Sequence, residues 1–201
     1  MSIPVELHSA QAARWPASGQ HILAHHDDAT IVVYQAYRPS IARWALSNGA
    51  LGGPELSFSR MSWIKPNFLW MMFRSGWGTK ENQESILGLR IQRSFFDELL
   101  RVAVGSSEGD GDGDAGRAAL RTSEVRRQWD PDHDPLGQRV ARRAIQLGLR
   151  GSMFARLAGP ALVEVIDMTP IVTAGRACVE AGRLDLLETP VEHVYEPVAP
   201  T

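Results

Sequence analysis

The stretch Arg60 to Lys80, RMSWIKPNFLWMMFRSGWGTK, constrains the fold more than any other part of this chain. It holds three of the six Trp, three of the six Met and the only two lysines, Lys65 and Lys80. Pro66 suits a first helical turn, where its missing N–H costs nothing, and Gly76 suits the position just past a helix end, where a positive φ is wanted. The spacing predicts a short helix between them. Phe68, Leu69, Trp70, Met71, Met72 and Phe73 leave that helix no polar side, so burial on most faces is expected. Asn67, Trp70 or Met71, and Arg74 recur three or four residues apart and share one stripe. A polar stripe on a buried helix needs partners, from the protein or from a ligand.

With 201 residues, 44% hydrophobic and 22% charged, the chain has the makings of one ordinary globular domain. A formal charge of −2 excludes strong attraction of the whole molecule to nucleic acid or anionic membrane, though not a local patch. Cys178 has no second Cys to pair with and no neighbouring His to suggest thiolate chemistry. No run reaches the ~18 apolar residues of a membrane span and the first residues lack a secretory pattern, so a cytoplasmic protein is expected.

Residues 1–20 read as a lead-in over the body, with Trp15 its one anchor, and residues 21–197 as a single α+β domain. Thr30–Ala36 is β-branched and aromatic, a buried strand. Tyr37 and Arg38 end it, and a helix runs from Pro39 or Ser40 to Asn48-Gly49. Glu84–Ile91 reads as a second buried strand, followed by a helix from Phe95 to Val104 capped by Ser94. The segment 105–116, GSSEGDGDGDAG, reads as a flexible acidic surface loop. Its Asp110, Asp112 and Asp114 imitate the start of a calcium loop, but Ala115 and Arg121 stand where glycine and glutamate belong. The arginines of residues 117–150 surround a strand from Glu124 that Pro131 and Pro135 turn, and a second strand with alternation at 145–149. Helices are expected over 153–165, broken near Gly159-Pro160, and over 171–180, with a last edge strand before Pro197.

At YQAYRP, RMSWIKPNFLWMMFRSGWGTK, RQWDPDHD and IQLGLRG the chain resembles the bacterial and fungal proteins grouped as domain of unknown function 4291. The resemblance covers roughly residues 20–197 and implies domain boundaries, motifs and an insertion at 105–116, but no reaction.

Function must be argued from side chains. Asp130, Asp132, His133 and Asp134, like His25, His26, Asp27 and Asp28, are metal-ligand types in runs; neighbours in extended chain point opposite ways, so no metal is expected at either. Phosphate-binding glycine loops, a nucleophile elbow and a zinc-protease helix motif are all absent. What stands out is a set of cations, amides and aromatics at element ends: Tyr37, Arg38, Trp63, Lys65, Asn67, Arg74, Lys80, Gln83, Gln128, Asp130, Gln146 and Arg150. Cations contact phosphate, Trp stacks on a ring, and Gln or Asp fixes a ribose or a base edge. One expectation is a nucleotide-using enzyme on an ADP-ribosyltransferase-like split sheet, binding NAD. Arg38 would then hold the pyrophosphate, Trp63 or Trp70 stack on nicotinamide, and Gln128 or Asp130 support the ribose as nicotinamide leaves. The alternative is a noncatalytic nucleic-acid-binding module, with arginines 117–150 on phosphates and Trp129 or Trp63 stacked on a base. A third is a structural or partner-binding protein. Oligomeric state is left open.

Overall fold

The computed structural model describes residues 3–105 and 114–198. In chain order the elements are β1 (Val5–Leu7), α1 (His8–Ala12), β2 (Gly19–Gln20), β3 (Leu23–Ala24), β4 (Thr30–Tyr37), α2 (Pro39–Asn48), β5 (Ser62–Ile64), α3 (Phe68–Ser75), β6 (Ser85–Gln92) and α4 (Arg93–Val102). There follow β7 (Val104–Gly105), α5 (Asp114–Thr122), β8 (Val125–His133), β9 (Arg139–Leu149), α6 (Gly151–Ala158), β10 (Leu162–Asp167), α7 (Thr169–Glu180), β11 (Glu188–Pro190) and β12 (His193–Val194). The fold is α+β, as expected.

Two sheets carry it. The first is antiparallel, in the order β10-β6-β4; the second is mixed, in the order β2-β9-β8-β7, with β5 also paired to β9. The pairs β1-β11 and β3-β12 fasten the two ends of the described chain to each other and to the body. Along β4, Ile31, Val33 and Tyr37 enter one core and Val32 and Tyr34 the other. A strand covered on both faces reads as a continuous apolar run, which is why it was legible. The first core lies against Val125, Ile145, Leu147 and Leu149 of the mixed sheet, closed by Phe95, Phe96 and Leu99 of α4. The second takes Phe68, Leu69, Met71 and Met72 of α3, each such side chain contributing about 1.5–3 kcal/mol by burial.

Helix α3 forms where the sequence places it, but its cap is Asn67, whose side chain accepts from the Trp70 N–H at 2.6 Å, so Pro66 lies outside the first turn. Gly76 closes it with φ +58°. Glu192, fully buried, accepts from the Phe68 N–H at 2.7 Å at the same helix end. Burial pushes the Glu192 carboxyl well above its usual range; the Phe68 amide opposes this, Asp132 adds to it, and Arg142 opposes it. With the folded value above the unfolded one, the folded state binds the extra proton, and stability falls as pH rises from the usual range toward the raised value. Glu192→Gln is therefore expected to melt higher than the wild type at pH 8 and no differently at pH 4, where both forms of the carboxyl are protonated; thermal melts at the two values check this.

Several expectations need correction. Trp15 is not the one anchor of the lead-in: residues 3–20 supply β1, α1 and β2, and Gln11 is completely buried. Ser94 lies inside α4, which starts after Gln92. The expected acidic loop falls mostly outside the described residues, and its end is helical, since α5 begins at Asp114. Pro131 does not turn β8, which continues to His133 across a register shift. The helix expected over 153–165 stops at Ala158, and Leu162–Asp167 is a strand of the first sheet. The expected last edge strand is two short ones, β11 and β12. Among the described residues no helix is long and apolar enough to cross a membrane.

Candidate functional site

Strand β4 is bridged through its backbone to Lys65, the residue that follows β5. The Lys65 N–H donates to the Tyr34 carbonyl at 3.0 Å and the Tyr34 N–H to the Lys65 carbonyl at 2.6 Å. Beyond this bridge β4 stays with the first sheet and β5 with the second, so the sheets part like a fork. A cleft of about 500 Å³ opens between the prongs, with Gln35 and Ala36 on one side and Ser62, Trp63 and Lys65 on the other. A second chamber of about 370 Å³ shares the wall formed by Gln35, Ala36, Arg60, Met61 and Ser62, and reaches on to Tyr37, Arg38, Glu55 and Asn82.

Register places the polar side chains. Ile64 pairs with Leu147, which brings Lys65 level with Gln146, and Gln146 pairs with Gln128. Trp63 pairs with Gly148, where a Cβ would stand 3.0 Å from Trp63 Cε2 and 2.8 Å from Met61 Sδ. A glycine is needed there for both side chains to lie over the sheet. Gln146 Nε2 donates to Asp130 Oδ2 at 2.6 Å, and Gln128 Nε2 to Asp130 Oδ1 at 3.0 Å, so both carboxylate oxygens are held by amides. Burial raises the Asp130 pKa; the Gln146 amide, Lys65, Arg143 and the Gln128 amide pull the other way.

Lys65 is the unusual member. It is only 3% exposed, and burial, reinforced by Arg74 and resisted by Asp130, lowers its pKa to about 8. Its ammonium stands 5.9 Å from the Trp70 ring and has no ion pair or hydrogen bond among the described residues. Arg60 and Arg74, which also line the cleft, likewise have no ion pair among the described residues. A buried cation without a counter-ion is costly unless something else supplies the charge.

The fork therefore brings together Trp63, Lys65, Arg74, Gln128, Gln146 and Gln83, with Asp130 behind the two glutamines. Tyr37 and Arg38 line the second chamber, where Arg38 pairs with Glu55 at 3.2 Å in an exposed contact. Three expected site residues serve the fold instead. Asn67 caps α3 and faces Glu192. Lys80 Nζ donates to the Arg74 and Phe73 carbonyls at the other end of α3. Arg150 donates to the Ser123 and Arg121 carbonyls. Trp70 stacks on Phe73 and His133 and does not reach the cleft. Sequence reasoning missed Gln35, Arg60 and Ser62; the signal for Gln35 was an amide inside an otherwise apolar strand. Three carboxylates of these runs are held locally: Asp132 pairs with Arg142 at 2.6 Å, the Asp134 carboxylate accepts from the Leu136 and Gln138 amides, and Asp27 accepts from the Ala29 and Thr30 amides, whereas His26 Nε2 and His133 Nδ1 are buried without a hydrogen-bond partner among the described residues.

A cationic cleft at the parting of two sheets, with a carboxylate held between two amides behind its wall, is the candidate site of this α+β protein. The chain belongs to the family described as a domain of unknown function, DUF4291, whose model matches residues 21–195. No curated protein matches it.

Proposed function

We propose that the cleft binds NAD and that the protein transfers or hydrolyses its ADP-ribosyl group. The observation that carries this reading is Lys65, a buried cation with no direct ion pair among the described residues and only the longer-range charge of Asp130 opposite it, placed beside Arg60 and Arg74 in a cleft large enough for a nucleotide. Two chambers sharing a wall suit a ligand made of two nucleosides bridged by phosphates, and a split α+β sheet without a phosphate-binding glycine loop suits an ADP-ribosyltransferase-like fold. Because Arg38 lines the second chamber and Trp70 lies outside the cleft, the pyrophosphate falls to Arg60, Lys65 and Arg74, and ring stacking to Trp63.

The chemistry asked of the site is modest. The bond between ribose C1′ and the nicotinamide nitrogen breaks, and its electron pair leaves with neutral nicotinamide. Asp130, fixed by Gln128 and Gln146, opposes the positive charge that develops on the ribose. Water or an acceptor hydroxyl then adds at C1′ and its proton passes to solvent water, since Asp130 stands behind Gln128 and Gln146 and acts on the cleft through its charge. Nicotinamide release from NAD, followed by chromatography, tests this. Asp130→Asn is expected to slow release by about 100-fold or more while binding NAD within a few-fold of wild type. A wild-type protein that binds NAD but releases no nicotinamide contradicts the enzymatic reading.

The nucleic-acid alternative has less support. Arg126, Arg142, Arg143 and Arg150 each donate to main-chain carbonyls, of Leu120, Pro16, Trp129 and Ser123. Such guanidiniums tie elements together and have fewer donors left for a phosphate backbone.

A further inference from the structure

The wall shared by the two chambers contains a hydrogen-bond chain with a fixed direction. The Tyr37 hydroxyl donates to Gln35 Oε1, and Gln35 Nε2 donates to Ser62 Oγ. Gln35 is 4% exposed and Tyr37 6%, so neither end of that amide is free to turn toward water. With its carbonyl facing a phenol, the Gln35 amide offers its N–H to Ser62, and the Ser62 hydroxyl keeps its own proton, whose partner within the wall is the Tyr37 oxygen and which a ligand oxygen at the junction takes over from it. Ser62 borders both chambers. Arg60 borders both as well, so a cation and a directed hydroxyl meet at the wall.

We infer that Ser62, oriented by Gln35 and Tyr37, donates its hydroxyl proton to a bridging-phosphate oxygen of a ligand that spans both chambers, which makes the ligand class a pyrophosphate-linked dinucleotide or sugar nucleotide. This rests on the nucleotide reading of the cleft and adds a residue and a ligand geometry to it. Ser62 is a positioning residue here: it fixes where the phosphate bridge crosses from one chamber to the other. A ligand confined to one chamber has no use for a donor at the junction.

Titration calorimetry with ADP-ribose tests the inference, using wild type, Ser62→Ala, Ser62→Thr and Gln35→Glu. Ser62→Ala is expected to weaken ADP-ribose binding by about 10-fold or more, the usual consequence of removing a hydrogen bond to a charged group. Ser62→Thr keeps the donor and is expected to stay within about 3-fold. Gln35→Glu replaces an N–H donor with an acceptor, turns the Ser62 proton inward, and is expected to lose at least as much as Ser62→Ala although the hydroxyl remains. Ser62→Ala binding ADP-ribose with wild-type affinity, while Lys65→Met does not bind it, overturns this inference and leaves the cleft reading standing. No binding of ADP-ribose by the wild type overturns both.

Discussion

Lys65→Met is expected to raise the melting temperature and to remove ligand binding in the same variant. An ordinary lysine holds its proton to about 10.5, whereas Lys65 is lowered to about 8, first by burial and then by Arg74. That difference corresponds to a cost of about 3 kcal/mol for keeping the ammonium in the folded protein at pH 7. The sign follows from proton counting. Between about 8 and 10.5 the unfolded chain binds the proton that the folded one has released, so stability rises with pH across that window; below about 8 the full penalty is present. Methionine has a similar length and no charge, so the variant is expected to gain about 1–3 kcal/mol at neutral pH, at about 2–4 °C per kcal/mol for a chain of this length. Its stability is also expected to lose the rise between pH 8 and 10.5. A lysine kept for folding behaves in the opposite way, because removing it breaks its partnerships. Removal of a buried, ligand-paired charge costs about 2–5 kcal/mol of affinity, a loss of about 30-fold or more. A gain in stability coupled to a loss of binding marks a residue held in place by function.

Gln11→Ala is expected to be the most destabilising single change considered. The Gln11 amide nitrogen lies within 3.0–3.3 Å of the Glu6, Thr189 and Pro190 carbonyls and the Thr189 hydroxyl, and its oxygen accepts from the Glu192 N–H at 2.8 Å. One fully buried side chain thus joins α1 to the segment that carries β11 and Glu192. Alanine takes the partner from the Glu192 N–H and the Pro190 carbonyl and opens a polar cavity. Each unsatisfied buried group costs about 1–3 kcal/mol, so a loss of about 3–5 kcal/mol is expected after partial relaxation. Urea denaturation measures it. Equal midpoints for wild type and variant contradict the claim that the residues preceding the matched region, 21–195, are part of the folding unit.

What was legible in the sequence follows from how local each signal is. Helix α3 announced itself through Pro66 and Gly76, although Asn67 is its cap, and β4 and α2 through a β-branched run and Pro39, because caps and periodicity act over a few residues. Strand β10 was misread as helix because its pairing with β6 depends on residues more than seventy positions away, and only Gly159-Pro160 hinted at the break. Strand β1 was missed for the same reason: it is three residues long, and its partner β11 comes from the opposite end of the chain.

The site divides along similar lines. Lys65, Trp63, Arg74, Gln128, Gln146 and Asp130 were recognisable as polar or aromatic groups embedded in apolar segments, and the fork gathers them. Asn67, Lys80 and Arg150 looked the same in sequence, yet they satisfy backbone groups at element ends. Helix ends and anionic ligands call for the same donors, so residue type alone cannot separate them. Gln35 had its one signal in being an amide within an apolar strand, whereas Ser62 gained a role only where the sheets diverge beyond the Tyr34–Lys65 bridge.

The account rests on the fork around Lys65 being a site for an anionic nucleotide, and the most direct test is calorimetric titration of NAD into wild type and Lys65→Met at pH 7 and pH 9.5, with melting temperatures recorded for both. The account predicts that wild type binds NAD at pH 7 and more weakly at pH 9.5, as the Lys65 ammonium loses its proton above about 8, while Lys65→Met binds at neither pH and melts higher at pH 7. A Lys65→Met variant that binds NAD as tightly as wild type, or wild-type affinity that does not change between the two pH values, contradicts it.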